Sequence, residues 1–298
     1  HKYGVYHCFK TDKTGSLVKL VQLVDSCDKN DALETLQGKT TIRELEKKLE
    51  EFFKQQEEIL TVPVVKNSLS LPSFCYLISE MENQYWKKRA IEYLNNRKIP
   101  IDGLYFCTED RYKSRIIIPY YDRHGQLIYF NGRHIGQSKC KYLGPPKEIG
   151  VGKEDVVFMA GEWPAKGETI YLCEGEFNAI SLKICELNAA ACGGKNMSEK
   201  QALMLSDYRI VLCLDRDKAG KQGTAKMTSM ISAVETVKGR GEKLMLVTPP
   251  EGINDWNEML KKSGSVILHH YIKKMQKPLD FSFPFGTHAS YVNENLWN

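Results

Sequence analysis

From Thr169 onward the chain repeats one local arrangement. "TIYLCEG" precedes "EFNAISLKICEL", "NAAAC" precedes "SEKQALML", "YRIVLCLD" precedes a helical segment at 218 to 236, and "EKLMLVTP" precedes a helical segment at 255 to 274 interrupted at Gly264. Short apolar runs bounded by turn residues read as buried strands, and the longer segments between them have the length and pattern of crossover helices. Strands that alternate with helices pack as a parallel sheet with helices on both faces. This half of the chain is therefore expected to be α/β, around a central, mainly parallel sheet.

Three of these strand ends finish in acids: Glu174 and Glu176 in "YLCEGE", Asp215 and Asp217 in "LCLDRD", and Asp255 in "TPPEGINDW". The carboxyl rim of an open α/β sheet is where ligands bind. In extended backbone, residues two apart point the same way, which puts Asp215 and Asp217 on one face. At about 4 to 5 Å their repulsion is roughly 3 to 4 kcal/mol at an effective dielectric near 20, and a divalent cation removes it. Alternatively, one aspartate caps the next helix and the other pairs at the surface with Arg216 or Lys218. Oxygen donors without nearby His or Cys favour Mg²⁺ or Mn²⁺ over zinc. Such ions would align a phosphate between attacking and leaving oxygens.

The net charge of +5 is modest, but its distribution is not. Residues 111 to 153 hold nine Lys or Arg against two acids, a local +7, which leaves about −2 for the remainder. Tyr120, Tyr121, Tyr129, Phe130 and Tyr142 lie among them. Basic residues interleaved with aromatics suit a polyanion such as nucleic acid or nucleotide phosphate; the alternative is a solvated basic face with aromatics in the core. Within this stretch "SRIIIPYYDRHGQLIYFNGRHI" reads as two strands around a polar turn.

Upstream, residues 1 to 24 read as a short strand and turn followed by an apolar helix ending near Cys27. Residues 41 to 60 read as a charged amphipathic helix, with Glu44 and Lys48 at a favourable spacing, 61 to 73 as a linker, and 76 to 98 as helical again. Several of the nine cysteines (Cys173, Cys185, Cys192, Cys213) lie in apolar runs that should be buried, and no CxxC pair occurs. Neither a disulfide framework nor a four-cysteine zinc site is readable, and a reducing cytoplasm is the expected compartment. There is no signal peptide and no apolar run of transmembrane length. The first residue is His1 rather than Met, so sequence upstream is expected. "GKTT" at 38 to 41 lacks the first glycine of a Walker A loop, whereas "CGGKNMS" at 192 to 198 is a glycine turn able to present amides to a phosphate.

"EGEFNA", "LDRDKAG" and "INDWNEML", each following an apolar strand, resemble the three motifs of a Toprim domain, the module shared by DnaG-type primases, topoisomerases and some nucleases. "RIIIPYYDRHGQLIYFNGRHIG" with "KYLGPP" is similar to the basic subdomain that precedes this module in DnaG-type primases, and "YHCF" resembles the tail of their zinc ribbon. The order of the three blocks points to the primases among these families. The implied layout is a zinc-ribbon remnant and linking helices at 1–60, a basic α/β subdomain at 61–160, a Toprim domain at 161–265, and a C-terminal helix and tail at 266–298.

The resemblance implies that Glu174, Asp215 and Asp217 are the catalytic acids and bind metal, with Asp255, Glu176 and Asn178 as auxiliary metal ligands. Arg115, Arg133 and Lys141 would contact template or nucleotide phosphates, joined by Lys113, Arg123, Lys195 and Lys218; His134 and Tyr142 would be peripheral. Asn178 stands where the family has an aspartate. Cys8 matches a ribbon ligand, but Thr11 stands where the next would fall, so His7 and Cys8 are a remnant and bound zinc is not expected. The implied activity is synthesis of short RNA primers on single-stranded DNA from NTPs with Mg²⁺ or Mn²⁺. The implied setting is the cytoplasm, that of a host if the chain is phage-encoded, with a replicative helicase as partner and no membrane. The alternatives are a Toprim nuclease using the same acids, and a replisome scaffold that binds nucleic acid without catalysis.

Overall fold

The computed structural model describes residues 5–8, 13–16, 18, 21–22, 28–34, 69–194, 196–216, 227, 231 and 244–278. The helix expected at 41 to 60, most of the linker, most of the helix at 218 to 236 and the tail beyond 278 lie outside them. The chain divides into two compact units, His1–Pro63 and Val64–Asn298.

The first unit contains an antiparallel hairpin of β1 (Val5–Cys8) and β2 (Lys13–Ser16), then the short helix α1 (Lys29–Glu34). The sequence reading has one strand here; β2, in "KTGS", is polar and lacks the apolar alternation that marks a strand.

The second unit begins with an antiparallel sheet in spatial order β3 (Cys75–Leu77), β4 (Tyr105–Cys107), β5 (Arg115–Tyr121), β6 (Leu127–His134) and β7 (Tyr142–Leu143). The helical reading of 76 to 98 is corrected at its start. "CYL" pairs with β4, and α2 runs only from Gln84 to Asn95. Asn83 marks the true beginning, because its side chain accepts the Trp86 amide at 3.3 Å and so satisfies a donor that the first turn cannot.

The second sheet is six-stranded, in order β13 (Lys277–Pro278), β12 (Met245–Val247), β11 (Arg209–Cys213), β9 (Thr169–Cys173), β10 (Ala189–Ala191) and β8 (Phe158–Met159). The four middle strands are parallel, as the alternation of strands and helices requires, whereas both edge strands are antiparallel. Its helices are α3 (Glu176–Ile184), α4 (Glu199–Leu205) and α5 (Trp256–Met275), the last broken at Gly264, whose φ of 80° is outside helical geometry.

Side chains alternate across a strand, so this sheet feeds two cores. Ile170, Leu172, Ile210 and Leu212 pack on the α4 side with Met227 and Ile231. Tyr171, Cys173, Val211 and Cys213 pack on the opposite side, with residues of α3 and α5. That second core also takes Phe106, Ile116, Ile118 and Tyr120 from the antiparallel sheet, so both sheets share it. Cys173, Cys185, Cys192 and Cys213 are all buried and free.

Candidate nucleotide and nucleic-acid site

Glu174 and Asp215 follow β9 and β11, which are neighbours with Leu172 opposite Leu212. The two carboxylates therefore emerge at one rim, each half-buried. Cys192, at the end of β10, reads the same neighbourhood: burial and the nearby Glu174 carboxylate push its thiol up to about 12. It leads into Gly193 and Gly194, both at positive φ, so the glycine turn borders the acidic rim.

The third acidic motif is built around a helix start. Asp255 is the N-cap of α5 and accepts the Glu258 amide at 2.7 Å. Trp256, fully buried, donates its indole N–H to the Cys213 carbonyl at 2.8 Å, pinning the helix to the end of β11. Arg216 donates to the Pro249 carbonyl at 2.9 Å.

Asn178, on the first turn of α3 and 7% exposed, connects these parts. Its amide nitrogen donates to Asp215 Oδ1 at 2.7 Å, and its Oδ1 accepts the Asn257 backbone N–H at 3.0 Å. Asn257 then donates from its side chain to Ser181 Oγ at 3.0 Å and to the Arg97 carbonyl at 2.9 Å, and accepts from Arg97 Nη1 at 3.2 Å. A buried polar chain thus runs from the end of α2 to Asp215.

Glu176 is turned inward rather than toward the rim. It is 1% exposed and accepts hydrogen bonds from the Tyr120 hydroxyl and, at 2.6 Å, from Asn131 Nδ2. Tyr120 and Asn131 belong to β5 and β6, so this carboxylate joins the two sheets. Burial first, and then the Glu176 charge, hold the Tyr120 hydroxyl well above its usual range, leaving it a neutral donor.

The register of β5 and β6 sorts the basic residues by face. Arg133 lies opposite Ile116 and Asn131 opposite Ile118, on the face shared with Tyr120. Arg115 lies opposite His134, on the other face. Arg115 is 4% exposed; it donates to the carbonyls of Gly132 at 2.9 Å, Cys140 at 2.8 Å and Lys141 at 3.3 Å. A Cβ on Gly132 would come within 3.1 Å of Arg115 Cδ and 3.0 Å of the Leu143 carbonyl, so the glycine makes room for this arginine. His134 accepts the Gly136 amide at Nδ1.

On the inner face, Arg133 is stacked over the Tyr142 ring at 4.8 Å, and its buried Nε has no hydrogen-bond partner. Lys141 lies near it: the Arg133 charge first, then burial and the Arg97 charge, lower the ammonium's pKa, against an opposing pull from Asp255. Arg97, hydrogen-bonded to Asn257 of α5, and Arg133 thus both lie within electrostatic reach of Lys141. Lys113 is exposed, its ammonium 6.0 Å from the Trp86 ring centroid. Arg123 lies over Trp163 and Tyr208 and donates to the Met204 carbonyl, on the α4 side of the parallel sheet. Asp217, Lys195 and Lys218 lie outside the described residues, as do the side chains of His7 and Cys8.

A family model described as Toprim-like matches residues 171–260. Relatives extend the likeness upstream. A protein named DNA primase from Thermotoga maritima is 25% identical over 90% of this chain and 52% of its own length, and one from Clostridium acetobutylicum is 28% identical over 63% and 30%. An uncharacterised Mycoplasma pneumoniae protein is 30% identical over 53% of this chain and 72% of its own length. The fold is that of solved primase cores. The E. coli primase catalytic core superposes with a TM-score of 0.51 at 20% identity, over 76% of this chain and 81% of that one. A DnaG primase catalytic domain bound to single-stranded DNA gives 0.51 at 20%, over 66% and 74%.

The chain has the fold of DnaG-type primase cores and resembles these primases in sequence. It spans about half the length of the first of these primase relatives and less of the second.

A Toprim-like segment should offer oxygen donors to a divalent cation, and its residues divide on that test. Glu174 and Asp215 have the right donor type at the right rim. The oxygens of Asn178, Glu176 and Asp255 used in the contacts above are engaged by Asn257, by Tyr120 and Asn131, and by Glu258. Among the described residues no three His, Cys, Asp or Glu gather closely enough to hold a metal. Among them, too, no helix is long and apolar enough to cross a membrane. Sequence reasoning missed Arg97 and Asn257. Arg97 lies outside the basic stretch and Asn257 carries no charge, so neither stands out without the tertiary contacts that join them.

Proposed function

We propose that this chain is the catalytic core of a primase, joining ribonucleotides on a single-stranded DNA template. The observation that carries the reading is that Arg97, hydrogen-bonded at the helix start that also orders Asp215, and Arg133 both lie within electrostatic reach of Lys141. Cations within reach of one another repel, and the Arg133 and Arg97 charges lower the Lys141 pKa. A polyanion relieves it. Arg133 suits a phosphate better than Arg115, whose terminal nitrogens are spent on backbone carbonyls, and Tyr142 holds the Arg133 guanidinium plane.

In this reading Arg97, Arg133 and Lys141 hold template or nucleotide phosphates, and Glu174 and Asp215, with Asp217, would hold the divalent cation beside the transferring phosphate. Mg²⁺ or Mn²⁺ held there would supply the positive charge that offsets the developing negative charge. The 3′ hydroxyl of one ribonucleotide attacks the α-phosphorus of an incoming NTP, forming a P–O bond and releasing pyrophosphate. Residues 61–160 and 161–265 act as the two walls of the site, and residues 1–60, with His7 and Cys8, as a remnant of template selection. A replicative helicase and a cytoplasmic setting fit the same role.

The test is incubation of the chain with single-stranded DNA, Mg²⁺ or Mn²⁺ and labelled NTPs, with products resolved by size. Short RNA that requires NTPs is the expected product. Template shortening without NTPs would replace the reading with a nuclease, and full synthesis by Asp215→Asn would overturn the assignment of the acids.

A further inference from the structure

Asn178 stands against Asp215, and its role there rests on the reading of Glu174 and Asp215 as cation ligands. The orientation of the Asn178 amide is decided by its partners. A backbone N–H can only donate, so the side-chain oxygen must face Asn257, and the NH₂ group then faces the Asp215 carboxylate, which can accept. Rotating the amide to offer its oxygen to a cation beside Asp215 would strip the Asn257 N–H of its acceptor and set two oxygens against each other. That N–H belongs to the first turn of α5, where no carbonyl of the helix is available to it. Asn257 is in turn held by Ser181 and Arg97, so the clamp on Asn178 does not swing freely.

We propose that Asn178 is a positioning residue for Asp215 and not a metal ligand: a neutral donor that holds the carboxylate in place before any cation arrives. An aspartate at 178 could keep the bond to Asn257 with one oxygen, but its other oxygen would lie against Asp215. Such a site needs a cation to be stable; the one built here does not. The chain therefore binds divalent cations more weakly than its Asn178→Asp variant, at a site formed beforehand.

The experiment is Mn²⁺ titration by calorimetry and thermal melting of the full chain, its Asn178→Asp and Asn178→Ala variants, and Asp215→Asn. Asn178→Asp is expected to melt about 3 °C lower without metal, consistent with roughly 1 kcal/mol in a unit of this size. It should regain most of that in saturating Mn²⁺ and bind the ion roughly tenfold more tightly, as an added carboxylate dictates. Asn178→Ala should melt lower but keep its Mn²⁺ affinity within about twofold, since no ligand is removed. A tenfold or greater loss in Asn178→Ala, with a comparable loss in Asp215→Asn, would make Asn178 a ligand and overturn the inference while leaving the site reading intact. Unchanged Mn²⁺ affinity in Asp215→Asn would remove the cation from this rim, and the inference with it. Asn178→Asp melting and titrating like the parent chain would also overturn it.

Discussion

Arg115 and Arg133 occupy opposite faces of one antiparallel hairpin, and the two faces do different work. On the outer face the two terminal nitrogens of Arg115 are spent on three backbone carbonyls, in space that Gly132 leaves by lacking a side chain. On the inner face Arg133 lies over an aromatic ring and within electrostatic reach of Lys141, and the buried Nε of each arginine is without a hydrogen-bond partner. Both are about nine-tenths buried and both come from the same basic stretch. A basic residue is a candidate phosphate ligand only if its donors are not already used. The terminal nitrogens of Arg115 are already spent on carbonyls, so it acts as a structural tie between β5, β6 and the loop before β7, whereas Arg133, on the face that carries Tyr142, and Lys141 remain candidates.

The largest effect should appear where the inner face meets the acids. Asp215→Asn should lower primer synthesis by at least about a hundredfold while leaving single-stranded DNA binding within a few fold, because the loss falls on the transferring phosphate rather than on the template. Gel resolution of labelled products beside a binding titration separates the two.

Next, Arg115→Ala should cost about 3 kcal/mol of stability, since three carbonyls lose their donor in a buried setting. Urea unfolding measures it; a loss under about 1 kcal/mol would mean that the outer face is wetter than its burial indicates.

Arg133→Ala should reverse that pattern. Stability should change by less than about 1 kcal/mol, while affinity for single-stranded DNA should fall roughly tenfold and the slope of log affinity against log salt should decrease by about one. If Arg115→Ala and Arg133→Ala lose stability and affinity in the same ratio, the division between faces is wrong.

The smallest effect concerns Lys141. Because its pKa is lowered, its charge, and the binding that depends on it, disappear at a less alkaline pH than for an ordinary lysine. Affinity for single-stranded DNA should therefore fall as pH rises through that range, and Lys141→Arg should remove the fall, since a guanidinium stays charged. A binding titration across alkaline pH is the check.

Much of the parallel sheet was legible in the linear pattern, because period-two burial and crossover spacing leave their mark on local sequence: "TIYLC", "AAA", "RIVLC" and "MLV" are strands in the order the pattern implies. The helix misread at 76 to 98 shows the limit. "FCYLI" has no period that separates strand from helix, and its pairing with β4 decided the matter. The same holds for the acids. All five share a place at or near strand ends, but Glu176 was drawn into the junction between sheets by Tyr120 and Asn131, and Asp255 was taken up as a helix cap.

By itself, the sequence determined the architecture, the rim on which acids collect and the presence of a basic, aromatic-rich companion sheet, because each depends on residues close together along the chain. Only the tertiary structure decided which donors and acceptors remain available. That depends on partners far apart in sequence: Asn178 with Asn257, Glu176 with Tyr120, and Arg97 with a helix that begins about 160 residues later. A buried polar group is satisfied by whatever the fold brings within about 3 Å, and local pattern carries no record of that choice.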